Sequence, residues 1–340
     1  MGLKAQVGRA GNRLLKRYGY RVVSEDRLYD WQKEKGVYFH TFRDADLPAD
    51  ANQYLVPSNP RLADLRSLYA AFARTVTEPL VWTPGFVRSE DLKYFRGDNG
   101  YVWQLRGRNM NPLGYALTAY YVRSVDKLGL LDRLSEDDAF GLFTFLIDGK
   151  SMSRDLLDSV NEINFLEREL NLSSQAFNIL DIGAGYGRLA HRMTSAFPRQ
   201  NPFYFCTDAV PESTFLCEFY LGFRGVNSQA RVVPLYEIDS VFEKTQIDLA
   251  INVHSFSECQ ASAIEWWITR LAQREIRYLL VVPNAAEDGG RALINHAGVD
   301  FGAIIERHGY RLLKMTPKYG DPLVQEFGIA STYYHLFERR

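Results

Sequence analysis

The sequence predicts an α/β chain in which a doubly wound, mostly parallel sheet with helices on both faces follows a mainly helical N-terminal region. Three observations carry that expectation. At Phe177 to Arg188 (FNILDIGAGYGR) an apolar run ends in an acid and passes through three glycines into helix-forming sequence. Strand-length apolar runs then alternate with helical ones toward the end of the chain. Before it, from Asp26 to about Lys150, apolar residues recur at helical spacing, broken by proline and glycine. The division follows: residues 1–150 form a helical cap and substrate region, residues 151–340 the sheet domain.

In the N-terminal part, Pro57 to Pro60 (PSNP) reads as a turn. Arg61 to Thr77 reads as a helix with apolar Leu62, Leu65, Leu68, Tyr69 and Phe72, ended by Pro79, Pro84 and Gly85. Tyr94 to Asn111 (YFRGDNGYVWQLRGRNMN) mixes aromatics with Arg96, Arg106 and Arg108. It is either a substrate loop or a hairpin packed on the core, and Arg106 is a candidate substrate contact because a guanidinium grips phosphate or carboxylate. Tyr115 to Leu131 and Glu136 to Ile147 are two further expected helices.

Ser151 to Leu170 is the clearest helix, capped by Ser151 or Ser153, with Leu156, Val160, Ile163, Leu166 and Leu170 in one apolar stripe. Its other face carries Asp155, Asp158 and Glu162, which look either into a cleft or, as a charged helical face usually does, into water. After the glycine turn come strands at Pro202 to Val210, Ala230 to Leu235, Ile247 to Val253 and Tyr278 to Val282. Helices are expected at Pro211 to Phe223, Ser262 to Gln273 and Val299 to His308. Two last strands, Tyr310 to Thr316 and Ser331 to Glu338, are joined by a long loop with no helical pattern.

Composition narrows the classes. At 340 residues, 46% hydrophobic and 24% charged, the chain has the make-up of a soluble globular protein, long for a single compact domain. A formal net charge of -1 gives no global attraction to nucleic acid, and none is expected as a partner. Cys206, Cys217 and Cys259 are widely spaced, without a C-x-x-C pair, which points to neither a disulfide framework nor a zinc site and fits a reducing cytoplasm. No stretch approaches the roughly 20 apolar residues that span a bilayer, and the N-terminus lacks the apolar core of a secretory signal. Met1 to Arg21 holds Lys4, Arg9, Arg13, Lys16, Arg17 and Arg21 with no acid, so it is either a solvated arm or a peripheral contact with an anionic membrane face.

The glycine turn lets the backbone approach a nucleotide-like ligand without a Cβ in the way. A dinucleotide fold wants G-x-G-x-x-G, and Arg188 stands beyond Gly183 and Gly185 where that pattern needs its third glycine. The pattern here is Asp181-x-Gly183-x-Gly185-x-Gly187. It resembles the first motif of the Rossmann-like S-adenosylmethionine (SAM) methyltransferases, as does the final strand pair, which implies a seven-stranded sheet with an antiparallel last strand. That resemblance implies SAM as cofactor, with Asp181 at its amino-acid end and Gly183, Ala184, Gly185, Gly187 and Arg188 around its sulfonium and ribose. Asp208, roughly 20 residues past the glycines, stands where an acid binds a ribose hydroxyl. Glu237 or Asp239 would meet the adenine amine, and Asn252, near the end of the fourth strand, is a further candidate cofactor contact.

Past Asn252 the chain runs Val253, His254, Ser255, Phe256, Ser257, Glu258 at the carboxyl end of a parallel strand, where ligands of such sheets bind. Methyltransferases acting on planar amines often carry Asn or Asp, two prolines and an aromatic at this point, and by that resemblance the absence of proline here argues against a base or amide amine as acceptor. An imidazole suits an alcohol, whose proton must leave as the methyl arrives. His254 is therefore the candidate general base, with Glu258 one turn on as partner to its other ring nitrogen; the bland alternative is that His254 caps a helix and Glu258 is solvated. Asn284 is a candidate for a substrate hydroxyl, or Pro283 simply makes a turn.

The SFSE after His254, the SRDLLDSVNEINFL helix and the N-terminal LLKRYGYRVV are similar to a bacterial family named as sugar O-methyltransferases. The resemblance implies a nucleotide sugar, glycan terminus or glycosylated metabolite as substrate. Some sugar methyltransferases use magnesium, but no carboxylate cluster stands at this rim and no metal is expected. A methyltransferase for a small amine or carboxylate, and a catalytically silent SAM-fold scaffold subunit, are the alternatives.

Overall fold

The computed structural model describes residues 15–18, 47–102, 104, 112–199, 201 and 203–339. Most of the basic N-terminal segment lies outside the described residues, as do Arg106 and Arg108. Among the described residues, nine strands form two sheets. The large one contains β3 (Ile179–Ile182), β4 (Tyr204–Thr207), β5 (Ala230–Val232), β6 (Leu249–Val253), β7 (Tyr278–Val282), β8 (Tyr310–Pro317) and β9 (Tyr333–Arg339). Their order is β5-β4-β3-β6-β7-β9-β8, parallel except for β9, which runs antiparallel to both β7 and β8. This is the expected Rossmann-like, doubly wound, seven-stranded sheet. β3 and β4 are buried along their whole length, as strands covered on both faces must be.

The chain winds one way from β3 through β4 to β5, then returns to the far side of β3 as β6. The crevice at the carboxyl ends of β3 and β6 is thus the topological switch point, the place where ligands of open α/β sheets bind.

The small sheet corrects the sequence reading. Glu136 to Ile147 is not a helix: a short 3-10 turn at Ala139–Gly141 leads to β1 (Phe145–Ile147), which pairs antiparallel with β2 (Lys150–Met152). Asp148 and Gly149 join them with φ of 49° and 78°, the two positive values a tight hairpin turn of this hand requires. The hairpin holds position 150, so the expected boundary falls inside a structural unit, and described residues on both sides of it belong to one hydrophobic core.

A second correction lies between β8 and β9, where the expected irregular loop contains a helix at Pro322–Phe327. Asp321 caps it by accepting from the Leu323 and Val324 amides, and Pro322 fills the first position, where no amide partner is needed. Residues 94–102 and 104 contain no strand, so among the described residues the hairpin reading of Tyr94 to Asn111 has no support.

The helix at Pro60–Ala70, with the Asn59 side chain as its N-cap, lies on the helix at Pro211–Phe223 that follows β4. Arg61 forks onto Glu218 at 2.9 and 2.5 Å, and Tyr69 bonds Thr214 at 2.7 Å. Tyr54, from the helix before it, stacks on Phe215 at 5.0 Å. These contacts bring the segment after that helix over the crevice.

The helix at Arg154–Leu170, capped by Ser153 through the Leu156 amide, is buried almost all round. Its acidic face is the third correction: of the two places read for it, water fails, since all three acids are buried, while Asp155 and Asp158 do line the crevice. Asp158 takes Lys318 at 2.5 Å and Arg154 at 3.1 Å, Glu162 takes Arg188 at 2.8 and 3.1 Å, and Asp155 accepts from Tyr186 and, at 3.3 Å, from Arg96. Arg96 also holds Glu136 and Asp137, each at 2.7 Å. Among the described residues, no helix is long and apolar enough to cross a membrane.

Candidate functional site

A cleft of about 1450 Å³ opens at the switch point. The glycine turn forms one wall, with Gly183, Gly185 and Gly187 all left-handed at φ of 76°, 58° and 87°. A Cβ on Gly183 would overlap the Ser255 side chain, and one on Gly187 would come within 2.9 Å of Cys217 Sγ, so these two glycines serve close packing. At Gly185 a Cβ would meet only the Tyr101 ring at 3.7 Å, on the cleft side. The turn's own amides are largely spent: Gly183 and Ala184 donate to Thr207 O, Gly185 to Asp208 and Gly187 to Ala184 O. The turn therefore offers a ligand room more than donors.

Asp181, the last but one residue of β3, is buried and accepts from Tyr204 Oη at 2.8 Å. Burial pushes its carboxyl up to about 7, against the opposing pull of that hydrogen bond and of Arg188. Asp208, just past β4, accepts from the Gly185 and Val210 amides at 3.0 and 2.9 Å. Enclosure pushes it up to about 7 as well; the two amides oppose the shift, and the nearby Glu258 carboxylate adds to it. Both acids line the cleft, as do Gly183, Ala184, Gly185 and Arg188. Arg188 is engaged beneath the turn, with its guanidinium on Glu162 and Ser159.

Three candidate cofactor residues stand elsewhere. Glu237 is outside the cleft lining and half exposed, paired with Arg231 at 3.3 Å; Asp239 pairs with Arg270. Asn252 is fully buried and spent on the scaffold: its amide donates to Ile182 O, and its oxygen accepts from the Phe256 amide, each at 2.8 Å. It ties β6 to β3 at the point where the crevice opens.

His254 follows β6 and lines the cleft. Its backbone sits at φ 67°, ψ -33°, a sparsely populated conformation for a residue with a side chain, and is held there by its amide on Val282 O at 2.7 Å. Strain of this kind costs on the order of 1–3 kcal/mol and gathers at working sites. The ring does not cap the Ser255–Glu258 helix, and its Nδ1 is buried with no partner among the described residues. Burial lowers the imidazole to about 3, helped by Arg154 and Lys318, while Asp158 opposes them. It is therefore neutral across the physiological range.

The expected pairing of Glu258 with His254 gives way to another. Glu258 accepts from Trp82 Nε1 at 2.6 Å and from Asn284 Nδ2 at 2.9 Å. Trp82 comes from the N-terminal region, 176 residues away in the chain, and no local spacing could reveal the contact. Trp82, Phe86 and Tyr101 form an aromatic wall, with ring centroids 4.8 and 5.0 Å from Trp82. Among the described residues no group of His, Cys, Asp or Glu side chains is placed to hold a metal.

A comparison with protein-family models finds no match, and neither does one with curated protein sequences. Solved structures with a similar chain course include the mitomycin 7-O-methyltransferase MmcR, at 16% identity and a TM-score of 0.40, with 99% of each chain covered. Another is magnesium protoporphyrin IX methyltransferase (ChlM) from Synechocystis PCC 6803, at 13% identity and 0.39, covering 66% of this chain and 97% of that one. A third is Streptococcus pneumoniae Sp1610, described as a tRNA (m1A22) methyltransferase, at 14% and 0.37, covering 52% and 69%. At this level the likeness says nothing of substrate or mechanism, which rest on the site's own residues.

Proposed function

We propose that the chain is a SAM-dependent O-methyltransferase that acts on a sugar hydroxyl, free as a nucleotide sugar or carried on a glycan or metabolite, with His254 as the proton acceptor. The observation that carries the reading is the placement in one cleft of the glycine turn, two buried acids and an unpartnered neutral imidazole. The residues fit the cofactor. Gly185 leaves room on the cleft side, Asp208 keeps lone pairs for a ribose diol, and Asp181 offers a carboxylate to an ammonium group.

Bound there, SAM supplies an electrophilic methyl group. The chain's own part is to hold the acceptor oxygen in line, exclude water and take the proton. A hydroxyl is a poor nucleophile until its proton has somewhere to go, and it becomes a strong acid as its oxygen bonds to carbon. A neutral imidazole is then an adequate acceptor even with its basicity lowered by burial.

His254→Ala tests this. Turnover on the acceptor is expected to fall by about 100- to 10,000-fold with SAM affinity nearly unchanged. Full turnover in that variant would remove the alcohol mechanism in favour of an amine or carboxylate acceptor.

A further inference from the structure

The part of the cleft away from the glycine turn is built from a segment of the N-terminal region, residues 75–87, strapped across the rim. Pro79 pairs with Cys259 in an isolated antiparallel bridge, Ser262 Oγ donates to Thr75 O at 3.3 Å, and Trp82 Nε1 donates to Glu258 at 2.6 Å. The two carboxylate oxygens of Glu258 are used once each, Oε2 by Trp82 and Oε1 by Asn284. A carboxylate has about four acceptor positions, so one on each oxygen is left. Two donors on neighbouring carbons would fill both at once.

The indole N–H being spent on Glu258, the ring of Trp82 presents carbon to its surroundings, beside Phe86 and Tyr101. A ligand for this corner needs an edge rich in O–H donors and an apolar face, which is the chemistry of a pyranose ring. The volume agrees: about 1450 Å³ exceeds the roughly 300–1,000 Å³ of ordinary ligand pockets and leaves space for an acceptor beside a nucleoside cofactor.

We propose that Glu258, aimed by Trp82 and Asn284, binds two adjacent hydroxyls of the acceptor sugar while the Trp82 wall covers the ring's apolar face. This rests on the sugar reading above and adds the subsite that selects the ring. Glu258 is then a substrate-binding residue, not the partner of His254.

The test uses the full chain saturated with S-adenosylhomocysteine and a panel of methyl pyranosides, screened by saturation-transfer NMR. The best binder and its singly deoxygenated analogues are then titrated by calorimetry into wild type, Glu258→Gln and Trp82→Phe. In wild type, removal of either of two neighbouring hydroxyls is expected to weaken binding roughly 10- to 100-fold. Glu258→Gln is expected to lose a similar factor and, in addition, to lose most of the penalty for deoxygenation. Trp82→Phe, which keeps a ring but not the donor, is expected to lose roughly 3- to 10-fold.

S-adenosylhomocysteine affinity within a factor of about two of wild type shows that each variant is folded at the cofactor side. A deoxygenation penalty unchanged in Glu258→Gln overturns the subsite and leaves the sugar reading standing. If no pyranoside binds the wild type, both fall.

Discussion

Two sets of buried acids lie around the same glycine turn, and the chain treats them in opposite ways. On its floor, Asp155 and Asp158, which line the cleft too, and Glu136 are each met by cations. Burial pushes Asp158 up, but Lys318, Arg154 and Arg188 outweigh it and hold the carboxyl at about 2. Burial does the same to Glu136, where Arg192 and Arg96 prevail and keep it below its ordinary value. At the rim, Asp181 and Asp208 have a phenol and backbone amides for company and, among the described residues, no ion pair, and burial wins: both rise to about 7. The floor is compensated and therefore structural. The rim is left short of positive charge, as a site must be if a cationic ligand is to supply it.

The difference can be broken from either side. The largest effect is expected at the floor. Arg96→Met would leave Asp155 and Glu136 buried without their shared cation, at a cost of about 3–5 kcal/mol in a urea unfolding experiment. At the rim, Asp208→Asn removes a charge that the free protein barely tolerates. SAM affinity is expected to drop by about 1–3 kcal/mol while unfolding stability holds or improves.

A smaller, pH-dependent effect follows from the same carboxyls. A folded-state value raised from 3.8 to about 7 gives stability that is present at low pH and lost as pH rises through that window. Two buried histidines act in the opposite sense over part of the range. His191 and His254, lowered to about 2 and about 3, lose stability as pH falls below about 6.5. The clean reading is therefore a difference: cofactor-free Asp208→Asn should gain on wild type by a few degrees in melting temperature between pH 5 and 7, levelling above that. The smallest effect is expected at the Arg277–Glu338 pair, 2.9 Å apart where β7 begins beside the end of β9; Arg277→Ala there should cost less than about 1 kcal/mol.

The sheet was legible in the sequence because its signals are local. β7 and the Pro211–Phe223 helix fall where their apolar runs begin and end, and the glycine turn announces itself. The hairpin at Asp148-Gly149 and the Asp321-Pro322 cap carry local signals too, an Asp-Gly turn and an Asp-Pro helix start, set in surroundings whose pattern reads as helical or irregular.

The acidic face of the Arg154–Leu170 helix was not legible. Its spacing is that of a solvated face, and the cations that bury it, Arg96 and Lys318, stand about 60 residues before and 160 after it in the chain. The same holds for the cleft. Asp181, Asp208 and His254 follow from their places at strand ends, whereas Trp82 on Glu258 is a contact only the folded chain makes.

The most direct measurement is calorimetric titration of SAM into wild type and Asp208→Asn from pH 5.5 to 8.5, in buffers of different ionisation enthalpy. Ligand binding to carboxylates that sit at about 7 in the free protein should release protons near neutrality and weaken by up to about tenfold for each acid per pH unit below 7. Asp208→Asn should bind more weakly and show a shallower pH dependence. Absence of SAM binding, or an affinity that is flat with pH and the same in both proteins, would contradict the assignment of this cleft to the cofactor.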